Sequence, residues 1–108
     1  MNLSDFSKSV YATATKNGFW EEDGSPSSSK KAEKIALMHS ELSEALEGIR
    51  KPGPDKYCPQ FSNEAVELAD CLIRMLDYCE HYKIPLLEAA EAKAAFNATR
   101  PYKHGKTI

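Results

Sequence analysis

The sequence predicts an all-α domain, and three observations carry the prediction. Apolar residues recur at helical spacing in four segments. Short stretches rich in Gly, Pro, Asn and Ser separate these segments. No run alternates apolar and polar residues as a half-buried strand would. The chain has 108 residues, 42% of them hydrophobic, which suits one domain with a modest core.

The first helix is expected from about Ser4, placed to act as its N-cap, to Lys16, where Asn17-Gly18 is a stop signal. A polar loop follows to about Ser28, centred on Gly24-Ser25-Pro26. Phe19 and Trp20 stand out there, because two large aromatics in a loop need a reason. The second helix spans about Ser29 to Ile49. Ile35, Met38, Leu42, Ala45 or Leu46, and Ile49 form one stripe along it, and Lys51-Pro52-Gly53-Pro54 ends it.

The third helix is capped by Ser62, carries Glu64 in its first turn and runs to about Tyr82. It is apolar over most of its circumference, and its narrow polar sector holds Glu67, Asp70, Arg74, Asp77 and His81. Such a helix belongs at the centre, touching neighbours on several sides. It is too apolar for one small bundle to cover, so a homodimer or homotetramer is expected. Pro85 is placed as the first residue of a fourth helix, which carries Leu86, Leu87, Ala89, Ala90, Ala94 and Phe96 and stops before Arg100-Pro101. A short basic tail runs from Tyr102 to Ile108.

Net charge is −2, with 28% charged residues. That balance gives no reason to expect a nucleic-acid partner, which usually demands a basic stripe, but leaves room for single nucleotides. Cys71 and Cys79 lie eight residues apart in one expected helix, ~12 Å along its axis, too far to bridge. Reduced cysteines and a cytoplasmic location are therefore expected. The N-terminus MNLSDFSKSV has neither a basic nor an apolar leader region, and no apolar run is long enough to span a membrane.

The chemistry lies in two acidic pairs. Glu41 and Glu44 are three apart on the second helix, and Glu67 and Asp70 are three apart on the third. Residues at that spacing share a face, with Cβ atoms ~5–6 Å apart. If the helices pack antiparallel, four carboxylates can converge and would repel one another unless a cation sat among them. Hard oxygen ligands suit magnesium or manganese. E-x-x-E on a helix usually marks a solvated face. Here, however, the second pair occupies the narrow polar sector of a largely apolar helix, beside Arg74 and Asp77.

The segments Leu37-Met38-His39-Ser40-Glu41-Leu42-Ser43-Glu44-Ala45-Leu46-Glu47 and Glu64-Ala65-Val66-Glu67-Leu68-Ala69-Asp70-Cys71-Leu72-Ile73 resemble the E-x-x-E … E-x-x-D signature of the MazG-like, all-α nucleoside triphosphate pyrophosphohydrolases. Lys93-Ala94-Ala95-Phe96-Asn97 and Arg100-Pro101-Tyr102-Lys103-His104-Gly105-Lys106 are similar to the end of one MazG-like subgroup. The resemblance covers roughly Lys31 to Lys106. It implies a four-helix bundle core working as a dimer or dimer of dimers. It also implies magnesium-dependent hydrolysis of a nucleoside triphosphate to a monophosphate and pyrophosphate, in a house-cleaning role. By the same resemblance Glu41, Glu44, Glu67 and Asp70 are the metal ligands, or one of them, such as Glu44, orients the attacking water. Lys93 and Asn97 would contact phosphates or sugar.

The phosphates need further cations. Lys30, Lys31 and Lys34 lead into the acidic helix, and Arg100, Lys103 and Lys106 lie at the far end of the chain. For Lys30 and Lys31 a solvated helix start explains as much; Lys34 and Arg100 are taken as phosphate-binding candidates. Phe19, Trp20 and His39 are candidates to hold the base, although Trp20 could equally be a core plug. Rival chemistries fit poorly. A zinc deaminase needs a C-x-x-C that is absent, and a di-iron bundle needs Glu-x-x-His where this chain has Glu-x-x-Glu and Glu-x-x-Asp. A non-enzymatic helical interaction module and a phosphoribosyl-ATP pyrophosphohydrolase-type relative stay open.

Overall fold

The computed structural model describes residues 1–20 and 27–105. Four α-helices follow in order, α1 (Leu3–Lys16), α2 (Ser27–Arg50), α3 (Asn63–His81) and α4 (Leu86–Ala98), and then a 3-10 turn over Tyr102–Gly105. The architecture is all-helical, and an isolated bridge between Pro54 and Ser62 is the nearest approach to a strand among the described residues. The expected loop centre Gly24-Ser25-Pro26 and the tail from Lys106 lie outside the described residues. Among the described residues, no helix is long and apolar enough to cross a membrane.

The helix ends show the local chemistry. Asn2 caps α1 in place of Ser4, its side-chain oxygen accepting the Asp5 N–H at 2.8 Å. Ser4 falls inside the first turn, because Asn caps as well as Ser and lies further upstream. At the other end Gly18, with φ 86°, lets the Phe19 N–H return to the Ala14 carbonyl at 3.0 Å. Ser62 caps α3 as expected, accepting from the Ala65 N–H at 3.1 Å. The same closure as at Gly18 ends α3, with Ile84 N–H on the Cys79 carbonyl at 2.9 Å, but here Lys83 takes the left-handed conformation (φ 56°). Pro85 precedes α4 as its N-cap and is not its first helical residue, because its ψ of 71° lies outside the helical region.

Helix α3 is central and packs against both α2 and α1. Met38, Cys71, Tyr78 and Cys79 form the core, with Met75, Tyr82 and Leu86 against it. The single stripe expected on α2 divides into two. Met38 and Ala45 are buried and Glu41 is buried between them, whereas Ile35, Leu42, Leu46 and Ile49 are 40, 48, 59 and 56% exposed. Periodicity of 3.6 places both sets on adjoining faces, and α3 covers only one of them. On α3 the apolar Leu68 and Leu72 are exposed, while the polar Glu67, Asp70, Arg74 and Asp77 are partly buried. Gly48 lets the two helices close up: a Cβ there would stand 3.0 Å from the Glu64 backbone nitrogen.

The fourth member of the expected bundle does not pack along the other three. Among the described residues, α4 has none buried, and Leu87 and Phe96 are left well exposed. Leu86, in its first turn, is its link to the core. The radius of gyration is 16.5 Å, against ~13 Å for a compact chain of this length. Three helices form the body, and α4 is an arm.

Candidate functional site

Glu41 faces α3 because it sits one turn from Met38 and one from Ala45, on the buried side of α2. Opposite it, the polar sector of α3 brings up Glu67, Asp70 and Arg74. Carboxylate oxygens of Glu41, Glu67 and Asp70 all lie within 4.8 Å of one another. The Glu44 carboxylate reaches hydrogen-bonding range of Glu67. The two acidic pairs therefore converge on one place, as antiparallel packing of α2 and α3 requires. Arg74 Nε donates to Glu41 Oε1 at 3.0 Å. Glu41 Oε2 and Glu67 Oε2 are buried without a hydrogen-bond partner among the described residues. Each buried acceptor left unpaired costs about 1–3 kcal/mol.

The electrostatics follow from this crowding. The Glu67 carboxyl is pushed up to about 8, first by the Glu44 carboxylate with which it competes for a proton, then by burial, then by Glu41. Asp70 is also raised, first by burial and then by Glu41, with Arg74 pulling the other way. Buried Asp55 adds charge nearby and fixes the α2–α3 connection, its Oδ2 accepting the N–H groups of Tyr57 and Cys58 at 2.9 and 2.8 Å. Two orphaned carboxylate oxygens in an all-oxygen donor set fit a hard divalent cation such as magnesium, with Glu41, Glu67 and Asp70 to hold it and Glu44 beside Glu67.

A cavity of about 360 Å³ opens beside the cluster, with Glu41 and Asp70 at one end and Lys34 and Asp77 at the other. Val10, Thr13 and Ala14 of α1, with Asn17 and Phe19 just beyond its end, line it on one side and Ile73 of α3 lines it on another. The size and mainly apolar walls suit a small organic ligand. At the far end Trp20 Nε1 donates to Asp77 Oδ1 at 2.8 Å. The indole stacks on His81 with centroids 3.7 Å apart and planes at 8°, and His81 Nδ1 meets the Tyr11 hydroxyl at 2.9 Å. Burial raises Asp77 most, against the Trp20 hydrogen bond and the charges of Lys34, His81 and Arg74. Burial likewise lowers Lys34.

The residues singled out from sequence are placed unevenly. Lys34 lies at the aromatic end, where its Nζ donates to the Phe19 carbonyl at 3.1 Å and sits 4.4 Å over the Trp20 ring. Of the two readings of Trp20, its packing against α3 matches the plug, whereas Phe19 lines the cavity. His39 is exposed and does not line the cavity. Neither do Lys93, Asn97 and Arg100. Lys93 and Arg100 sit over the Phe96 ring at 4.8 and 5.6 Å, and Asn97 Oδ1 is buried without a partner among the described residues. The contribution of α1 was not foreseen, because Val10, Thr13 and Ala14 carry no chemistry that a motif could flag. Asp55 had a signal, an Asp just after the helix-ending Pro52-Gly53-Pro54, where side-chain-to-backbone turns form. Comparison with family models, with curated proteins and with solved structures gives no match to this chain.

Proposed function

We propose that this chain is a magnesium-dependent nucleoside triphosphate pyrophosphohydrolase of the MazG-like kind. The observation that carries the reading is the convergence of Glu41, Glu67 and Asp70 within 4.8 Å, with Glu44 against Glu67 and two buried carboxylate oxygens unpaired, at the mouth of a nucleoside-sized cavity. Glu41, Glu67 and Asp70 would hold the cation, which would supply charge neutralisation for the triphosphate. The cavity walls take the nucleoside. Glu44, the most exposed of the four, orients the attacking water and accepts its proton. The water oxygen bonds to the α-phosphorus, the bond from that phosphorus to the bridging oxygen breaks, and pyrophosphate leaves.

The reading extends to assembly. The exposed stripe of Ile35, Leu42, Leu46 and Ile49, together with Leu68 and Leu72, is an apolar surface of the kind that a second copy covers. A dimer, or a dimer of dimers, would also give α4 a partner, and Lys93, Asn97 and Arg100 would then serve phosphates from across the interface. The direct test is a panel of nucleoside triphosphates with and without magnesium. Monophosphate and pyrophosphate, formed only with metal, are expected. A protein that binds magnesium and turns over no triphosphate would return the chain to the alternative of a helical interaction module.

A further inference from the structure

We propose that Asp77 reads the Watson–Crick edge of the bound base and selects cytosine, through its 4-amino group, over uracil, which carries a carbonyl at that position. This rests on the nucleotide reading above and concerns the far end of the same cavity.

Asp70 and Asp77 both line that cavity. They are seven residues apart on α3, two helical turns or ~10.5 Å. That separation matches a nucleotide whose phosphates lie at the acidic cluster and whose base points the other way, its ring between Val10, Ala14 and Ile73. Asp77 is half-buried, and one of its oxygens is already committed: Oδ1 accepts from Trp20 Nε1 at 2.8 Å. Trp20 is itself held by stacking on His81 and by the Lys34 ammonium over its ring. The wall therefore fixes the carboxylate through Oδ1, and Oδ2 is the oxygen we assign to the ligand.

An ionised carboxylate only accepts hydrogen bonds. Cytosine offers an N–H donor from its 4-amino group. With the 4-position of the base held against Asp77, uracil places a carbonyl oxygen there instead and oxygen would face oxygen, its N3–H lying one ring position away. Lys34, a cation at the same end of the cavity, is engaged with the Phe19 carbonyl and the Trp20 face. A site built to hydrogen-bond one group discriminates strongly against the analogue lacking it.

The test compares kcat/KM for dCTP and dUTP, which differ at that position in amine against carbonyl. The wild-type protein is expected to favour dCTP at least tenfold. In Asp77→Asn the Trp20 indole still claims the side-chain oxygen, so the amide nitrogen faces the cavity and turns an acceptor into a donor. The dCTP to dUTP ratio is expected to fall at least tenfold, with dUTP hydrolysed faster than by wild type. Asp77→Ser keeps a small polar group without the charge and is expected to lose the preference without reversing it. Equal use of both substrates by wild type, or an unchanged ratio in both variants, overturns the role of Asp77 while leaving the pyrophosphohydrolase intact. Hydrolysis of neither substrate, nor of any other triphosphate, overturns both.

Discussion

Arg74 engages only one of the two carboxylate oxygens of Glu41. Its Nε stands 3.0 Å from Oε1, while Oε2 is buried and unpaired among the described residues. A structural ion pair would be served best by a two-pronged contact. The one-sided pair leaves the second oxygen unpaired among the described residues, in a carboxylate that lies within 4.8 Å of Glu67 and Asp70, where a cation would use it.

Removing Arg74 should therefore destabilise the metal-free protein more than the metal-loaded one. Arg74→Ala takes from Glu41 its hydrogen-bonding partner. The expected loss is about 1–2 kcal/mol, near the low end for a charged hydrogen bond because Arg74 is partly exposed and screened. Urea denaturation with chelator and with magnesium measures both values. Equal losses in the two conditions would mean that Arg74 and the cation do not share Glu41.

The crowded carboxylates give a pH signature. Glu67 titrates near 4.5 when unfolded and about 8 when folded, so between those values the folded state holds more protons. The stability contribution is complete below about pH 4.5 and is lost as pH rises through about 8. Metal-free melting temperature is expected to fall from about pH 5 to about pH 9, and saturating magnesium, which stabilises the folded state it binds, should flatten that slope. A metal-free melting temperature that rises across this window would contradict the convergence of Glu44, Glu67 and Glu41.

The ligand assignment has its own test. Glu41→Ala or Asp70→Ala should lower kcat/KM at least a hundredfold, about 2.7 kcal/mol of transition-state stabilisation, while far-ultraviolet circular dichroism stays helical. Near-normal turnover by Glu41→Ala would remove that residue from the site.

Assembly is probed by a charge on the exposed stripe. Leu46 is 59% exposed, so Leu46→Glu costs a monomer little, but it would bury a charge in an apolar interface. Sedimentation at micromolar concentration is expected to show a dimer or larger for wild type and a monomer for the variant. A monomeric wild type would leave α4 and the α2 stripe without the proposed partner.

Lys93 and Asn97 separate a catalytic arm from a surface helix. Their spacing of four puts them on one face of α4, and among the described residues neither lines the cavity of its own chain. As phosphate contacts, Lys93→Ala or Asn97→Ala should lower kcat/KM at least tenfold, about 1.4 kcal/mol. Mixing Lys93→Ala with Glu41→Ala should recover activity if the arm serves a partner's site. Wild-type kinetics in both variants would return the arm to a structural role.

The four helices, the Ser62 cap and the meeting of Glu41 with Glu67 and Asp70 were legible in the sequence, because spacing alone fixes which residues share a helical face. The division of the α2 stripe was not, since Ile35 and Met38 fit one period equally well and only the position of α3 decides which is covered. Pattern likewise could not show that α4 leaves the body, because Leu87 and Phe96 read as core residues whichever molecule covers them. The α1 wall of the cavity was silent for a different reason: Val10, Thr13 and Ala14 contribute shape and no reactive group. Lys34 shows the limit of reading charge without geometry, as its ammonium is drawn to Phe19 and Trp20 and away from the acidic cluster.

The central claim is attack by water on the α-phosphorus at the acidic cluster, and the position of a solvent oxygen in the products tests it most directly. Hydrolysis of a nucleoside triphosphate with magnesium in ¹⁸O-labelled water, followed by mass spectrometry of both products, is expected to place the label in the monophosphate and none in pyrophosphate. Label in pyrophosphate, or release of labelled orthophosphate with a nucleoside diphosphate, would contradict the account.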